Sequence, residues 1–106
     1  MFKPRHTIVV TQRFFDSETV HYLESHGCDV VVAQLAKGQA DGDLSERQLI
    51  DLLEDADGWI VGHANVTSGL LSALPRLQVI ARRGVGYERV DTAAVAKELP
   101  YGTVTV

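Results

Sequence analysis

The chain contains a single cysteine, Cys28, in 106 residues, so no internal disulfide can form and a reducing compartment is expected. Cys28 directly precedes Asp29-Val30-Val31-Val32 and reads as the first residue of a buried strand. Apolar runs are short. None approaches the ~20 residues that a membrane-crossing helix requires, and the opening Met-Phe-Lys-Pro-Arg-His lacks an apolar segment with a cleavage site. A cytoplasmic protein without membrane contact is the expectation. Basic residues are outnumbered, with a formal charge of −4, which argues against nucleic acid as the main partner. Low-complexity segments and internal repeats are absent. The four histidines, His6, His21, His26 and His63, are scattered, and His21 and His26 are not at the i, i+4 spacing that aligns metal ligands on a helix. No metal site is expected. What remains is one domain, residues 1–106, with the 45% apolar content of an ordinary globular core.

Strand and helix signals alternate along that domain. Short apolar runs occur at Thr7–Thr11, Asp29–Ala33, Gly58–Gly62, Leu77–Ala81 and Thr103–Val106. Continuous runs of this kind suit parallel strands buried on both faces. Between them a single grammar repeats. Phe15-Asp16 is followed by Val20, Leu44-Ser45 by Leu49, Val66-Thr67 by Leu71, and Val90-Asp91 by Val95. Each is an apolar residue, a capping residue and a second apolar residue at the fourth helical position, which is a hydrophobic staple around an N-cap. Ser45 with Gln48 adds a capping box. Gly27 is placed to end the first helix in a left-handed turn. Leu49, Leu52, Leu53 and Ala56 give the second helix an apolar stripe. The polar, glycine-rich stretch Ala36–Asp43 reads as a surface loop. Right-handed crossovers then favour an α/β fold, a flavodoxin-like doubly wound parallel sheet of five strands in the order 2-1-3-4-5.

In such a sheet ligands bind outside the carboxyl ends of the strands, near the point where the strand order reverses. Three loops line that crevice: Gln12-Arg13-Phe14, Gly62-His63-Ala64-Asn65, and Arg82 to Tyr87. A phosphate-accepting receiver domain needs acids after strands one and three, and neither loop supplies one. A flavin-phosphate loop after strand one needs small hydroxyl and glycine residues, and Gln12-Arg-Phe-Phe-Asp16 is bulky. Gly84-Val85-Gly86 resembles the start of a dinucleotide fingerprint, but Arg89 stands where the third glycine is needed. Its other use is a turn that offers backbone N–H groups to a small anion. Arg76, Arg82, Arg83 and Arg89 are four of the ten basic residues, gathered within residues 76–89, and form a local positive field suited to such an anion.

The run Leu77-Gln-Val-Ile-Ala-Arg-Arg-Gly-Val-Gly-Tyr-Glu-Arg-Val-Asp-Thr-Ala-Ala-Val-Ala-Lys-Glu98, with Gly58-Trp-Ile-Val-Gly62 and Leu74-Pro75 before it, resembles the substrate-domain signature of the D-isomer-specific 2-hydroxyacid dehydrogenases, the phosphoglycerate dehydrogenase-like group. The resemblance implies that the Val85 and Gly86 amides hold the carboxylate of a small 2-oxo or 2-hydroxy acid and that Gly84 provides the turn. It also implies that Arg82 lies near the substrate, that His63 and Ala64 contribute from the loop after strand three, and that Asp91 is a structural N-cap. The whole protein would transfer hydride between NAD or NADP and the C2 carbon. Two departures stand out. Glu88-Arg89 replaces the family's Asp-Asn, and Ala96–Val106 strays from its usual continuation. The cofactor domain and the catalytic Arg, Glu and His of the family are not among these residues, so the chain by itself is expected to be inactive, a substrate-binding fragment. The rival reading is a non-catalytic carboxylate-binding or dimerisation module. Apolar sheet surface left uncovered would favour a homodimer under either reading.

Overall fold

The computed structural model describes residues 6–12, 17–82 and 102–105. Its elements are β1 (His6–Val10), α1 (Ser17–Ser25), β2 (Cys28–Val32), α2 (Glu46–Leu53), β3 (Gly58–Val61), α3 (Ser68–Ser72), β4 (Val79–Arg82) and β5 (Gly102–Thr105), with a short 3₁₀ turn at Asp41–Asp43 before α2. The α/β class with a parallel sheet agrees with the sequence pattern. Four strands in the order β2-β1-β3-β4 form the body of the sheet, and the backbone of β5 pairs parallel along β4.

Register explains where the core lies. Val9 stands opposite Trp59, and Trp59 opposite Ile80. These three side chains form one row across the sheet, and all are buried. Leu49 and Leu53 of α2 and Leu70 and Leu71 of α3 pack on that row with Val61 and Leu77. Trp59 and Leu53 are among the largest fully buried side chains, and each such burial contributes roughly 1.5–3 kcal/mol. The next row, Ile8–Gly58–Val79, faces the other side of the sheet. There Ile8 and Val79 are only half-buried. A Cβ on Gly58 would sit 2.7 Å from Ile8 Cδ1, so the strand lacks a side chain where its neighbour leans across it.

The helix starts follow the capping grammar. The Ser45 hydroxyl accepts from Gln48 N at 3.1 Å while Gln48 Oε1 accepts from Ser45 N at 2.8 Å, a complete capping box. Thr67 Oγ1 accepts from Leu70 N at 3.2 Å. The staple pair Val66 and Leu71 is buried, and Leu44 packs on the core beside buried Leu49. Gly27 has φ of 87°, the left-handed turn that ends α1. The caps expected at Asp16 and Asp91 lie outside the described residues.

Two expectations change. β2 is not buried on both faces: Val31 and Val32 are 51% and 43% exposed. Among the described residues its hydrogen-bonded neighbour is β1, and an edge strand gains less cover than a central one. Leu52 also leaves the α2 stripe. It is exposed, while Leu49, Leu53 and Ala56 are buried, so the helix buries a narrower face than its spacing suggests.

Candidate functional site at the carboxyl ends of the strands

β1, β3 and β4 end side by side. Val10 stands opposite Ile60 and Val61 opposite Arg82, so Thr11-Gln12, Gly62-His63 and Arg82 stand at the same end of the sheet. The strand order places β2 on one side of β1 and β3 on the other. The crossovers therefore diverge between β1 and β3, which is where crevices form in sheets of this kind.

Asp41 occupies this divergence. It comes from the 3₁₀ turn before α2 and is 1% exposed. Its Oδ2 accepts from Gly62 N at 2.8 Å and from the Thr11 hydroxyl at 2.7 Å, and its Oδ1 accepts from His63 N at 2.7 Å. The Thr11 oxygen in turn accepts from the Trp59 indole N–H at 2.8 Å. Each described partner of the carboxylate is a donor. Gly62 makes the close approach possible, because a Cβ there would lie 3.1 Å from Asp41 Oδ1 and 3.3 Å from the Gln12 Cα. Beside it Gln12 Oε1 is buried with no hydrogen-bond partner among the described residues. A cleft of about 210 Å³ opens next to the turn, lined by Gly42, Leu44, Glu46, Leu49, Asn65 and Thr67.

Asp41 is the site residue that sequence reasoning missed. It sat within Ala36–Asp43, which composition marks as a solvent loop. The available signal was indirect: a tryptophan in a buried strand needs an acceptor for its indole N–H, and a buried Thr11 hydroxyl that accepts it still has a hydrogen of its own to place.

Of the residues proposed from the sequence, Gly84, Val85 and Gly86 lie outside the described residues. Arg82 is the last residue of β4. His63 is exposed at the mouth of the crevice, with its backbone N–H committed to Asp41. Ala64 is 1% exposed and its methyl group belongs to the hydrophobic core, which leaves only its backbone for a ligand. Arg76 does not join the expected field. It lies before β4, at the opposite end of the sheet, where it pairs with Asp57 at 3.6 Å and Asp55 at 3.7 Å. Among the described residues no three His, Cys, Asp or Glu gather as a metal site, and no helix is long and apolar enough to cross a membrane.

A model of the D-isomer specific 2-hydroxyacid dehydrogenase catalytic domain matches residues 8–99. The chain belongs to this family. The D-3-phosphoglycerate dehydrogenase of Sus scrofa is 40% identical over 77 residues, and that of Homo sapiens is 39% identical over the same length. The match takes in 72% of this chain but 13% of those relatives. Among solved structures, the PH0520 protein of Pyrococcus horikoshii superposes with a TM-score of 0.78 at 22% identity, covering 97% of this chain and 28% of that one. The NAD⁺-bound 3-phosphoglycerate dehydrogenase of Entamoeba histolytica gives 0.76 at 24% identity, covering 96% and 33%. These likenesses carry the fold, an α/β domain that covers 28% and 33% of those two chains.

The described residues of this domain do not fit a dinucleotide. The pyrophosphate of such a cofactor needs open backbone amides at a glycine-rich turn. The glycine turn among the described residues at this end, at Gly62, has its amide taken by Asp41 and the space over it filled by the same carboxylate.

Proposed function

We propose that this chain is the substrate-holding domain of an NAD(P)-dependent D-2-hydroxyacid dehydrogenase. On this reading the domain is flavodoxin-like and doubly wound, with five strands in the order 2-1-3-4-5. The pairing of Gly102–Thr105 along β4 supports the fifth position. The whole protein transfers hydride between a nicotinamide and the C2 carbon of a 2-hydroxy or 2-oxo acid. The cofactor and the proton-moving residues belong to a second domain, consistent with the greater length of the relatives. This domain's task is to fix the substrate carboxylate on the Val85 and Gly86 amides, with Gly84 making the turn and Arg82, His63 and the Ala64 backbone beside it. The single observation that carries the reading is the family match over residues 8–99, which includes that glycine loop. Physically, clustered N–H groups in a turn stabilise a carboxylate that side chains would have to reach for.

The reading includes a cytoplasmic protein and self-association. The exposed apolar residues Tyr22, Val31 and Val32 around the open edge of β2 support the latter.

A ¹H–¹⁵N titration of the chain with glyoxylate, pyruvate and hydroxypyruvate tests the site. The reading expects selective, saturable shifts of the Val85 and Gly86 amides. A well-dispersed spectrum in which those amides stay fixed contradicts it.

A further inference from the structure

The geometry points to residues 34–43 as a strap that closes the crevice between β1 and β3 and is fastened to the sheet by one side chain, Asp41. Releasing that side chain lets the strap and the Gly62-His63 loop open together while the sheet stays folded. Neither part depends on the role proposed for the glycine loop.

The path of the chain makes this segment a strap. Ala33 N donates to Val10 O at 2.9 Å where β2 ends, and α2 begins at Glu46. Between these points the chain leaves the edge of the sheet, passes the end of β1 and reaches the end of β3, because Asp41 accepts from Thr11 and from Gly62 and His63. It lies across the place where the crossovers diverge. There it covers two adjacent amides and a hydroxyl, at the position where ligands enter sheets of this kind.

The fastening is narrow. Gln39 N donates to Ala36 O, Asp43 N to Ala40 O and Leu44 N to Asp41 O, while Ala36 N donates to Gln39 Oε1 and Ala40 N to Asp43 Oδ2. All of these close within the strap and the residue after it. Among the described residues, the Asp41 carboxylate makes every hydrogen bond from residues 34–43 to the rest of the fold. Burial agrees: Asp41 is 1% exposed, and the other residues of the strap are half-buried or exposed.

Two features leave room for movement. Gly38 has φ of 79° and nothing within 4 Å of an added Cβ, so the strap turns in open space. The cleft of about 210 Å³ is lined by Gly42 and Leu44 and by Asn65 and Thr67 of the loop after β3, so the fastened turn has empty volume beside it. A segment with few buried apolar contacts opens locally at a free energy below that of the core. Three hydrogen bonds converge on one carboxylate here, so they break together.

Two readouts, one on each side of the fastening, test this. Amide hydrogen exchange of the ¹⁵N-labelled chain in low urea follows Gly62 and His63. Limited trypsin digestion with mass detection follows cleavage after Lys37, the basic residue of the strap. In the unmodified chain, Gly62 and His63 should exchange with a smaller urea dependence than the amides of β3 and β4. Asp41→Asn keeps one acceptor oxygen and removes the charge. It should speed exchange at Gly62 and His63 and cleavage after Lys37 by a similar factor, at least about tenfold. Exchange in β3 and β4 and cleavage after Arg76 should change several-fold less. Gly62 and His63 amides that exchange only with the core, at the core's urea dependence, overturn the inference, and that comparison needs no variant. Unchanged cleavage after Lys37 in Asp41→Asn also overturns it, because the strap is then held by something else. Uniform acceleration at all of these positions does the same, since the carboxylate then supports the whole fold and fastens no separate strap.

Discussion

Each end of the sheet holds a buried aspartate, and the two are satisfied by different means. At the amino ends, Asp57 is 9% exposed, and its Oδ2 accepts from Thr7 N at 2.7 Å. Its backbone joins the same seam, donating to Thr7 O and accepting from Gln78 N, and Arg76 lies 3.6 Å from its other oxygen. A cation and the backbone of β1 share that charge. At the carboxyl ends, Asp41 has two amides and a hydroxyl and no described cation. The amino end is a closed seam that holds the strands in line. The carboxyl end holds its charge on two amides and a hydroxyl, with no cation among the described residues. The substrate site we propose lies at that second end, and the contrast shows why a polar loop residue there carries more consequence than its composition suggests.

The comparison can be broken by removing each acid. Asp41→Ala strands two backbone donors and the Thr11 hydroxyl in a dry setting and should cost about 3 kcal/mol, against about 1–2 kcal/mol for Asp57→Ala, which strands one. Urea denaturation of both variants measures the difference, and equal losses would show that the cation at the amino end matters as much as the amides at the other. A double-mutant cycle sharpens the same point. Gly62→Ala forces a Cβ to within 3.1 Å of Asp41 Oδ1 and should destabilise by about 1–3 kcal/mol. In an Asp41→Ala background the carboxylate is gone while the Gln12 Cα at 3.3 Å remains, so part of that cost should vanish, a coupling of about 1 kcal/mol. Strict additivity of the two changes would mean the approach at Gly62 is not limiting. The smallest effect is expected at Arg76→Ala. Its side chain is 55% exposed, and solvent screening holds its contribution to about 0.5 kcal/mol. A loss above ~1.5 kcal/mol in the same urea series would place the seam's strength in the ion pair instead of the backbone.

Much of this arrangement is legible in the chain because it is local. Ser45, Thr67 and Gly27 act within a few residues of themselves, and their side chain or missing side chain dictates the turn. Val9, Trp59 and Ile80 fall in one row because alternation along each strand fixes which face they share. Failures occur where partners are distant in sequence. Val31 looks like a buried strand residue, and only the order of strands makes β2 an edge. Leu52 fits the helical spacing, but the width of the packed face is set by α3 and the sheet. Asp41 meets Thr11 thirty residues away and Gly62 twenty-one away, and nothing in a glycine-rich, polar stretch distinguishes a buried carboxylate from a solvated one. Arg76 and Arg82 are close in sequence, yet a strand of four residues carries the chain from one end of the sheet to the other. The glycine loop itself is readable only as a motif, Gly84-Val85-Gly86 within a family signature.

The central claim is that backbone amides in that loop hold a 2-oxo acid carboxylate. Val85→Pro removes one amide hydrogen, and Val85→Ala keeps it while removing most of the side chain. The dissociation constant of glyoxylate, measured by NMR for the unmodified chain and both variants, separates the two contributions. The account predicts that Val85→Ala binds within about twofold of the unmodified chain and that Val85→Pro, with its strand resonances unmoved, loses at least about tenfold, as expected for a lost charge-assisted hydrogen bond. A folded Val85→Pro chain that binds glyoxylate as tightly as the unmodified one would contradict it.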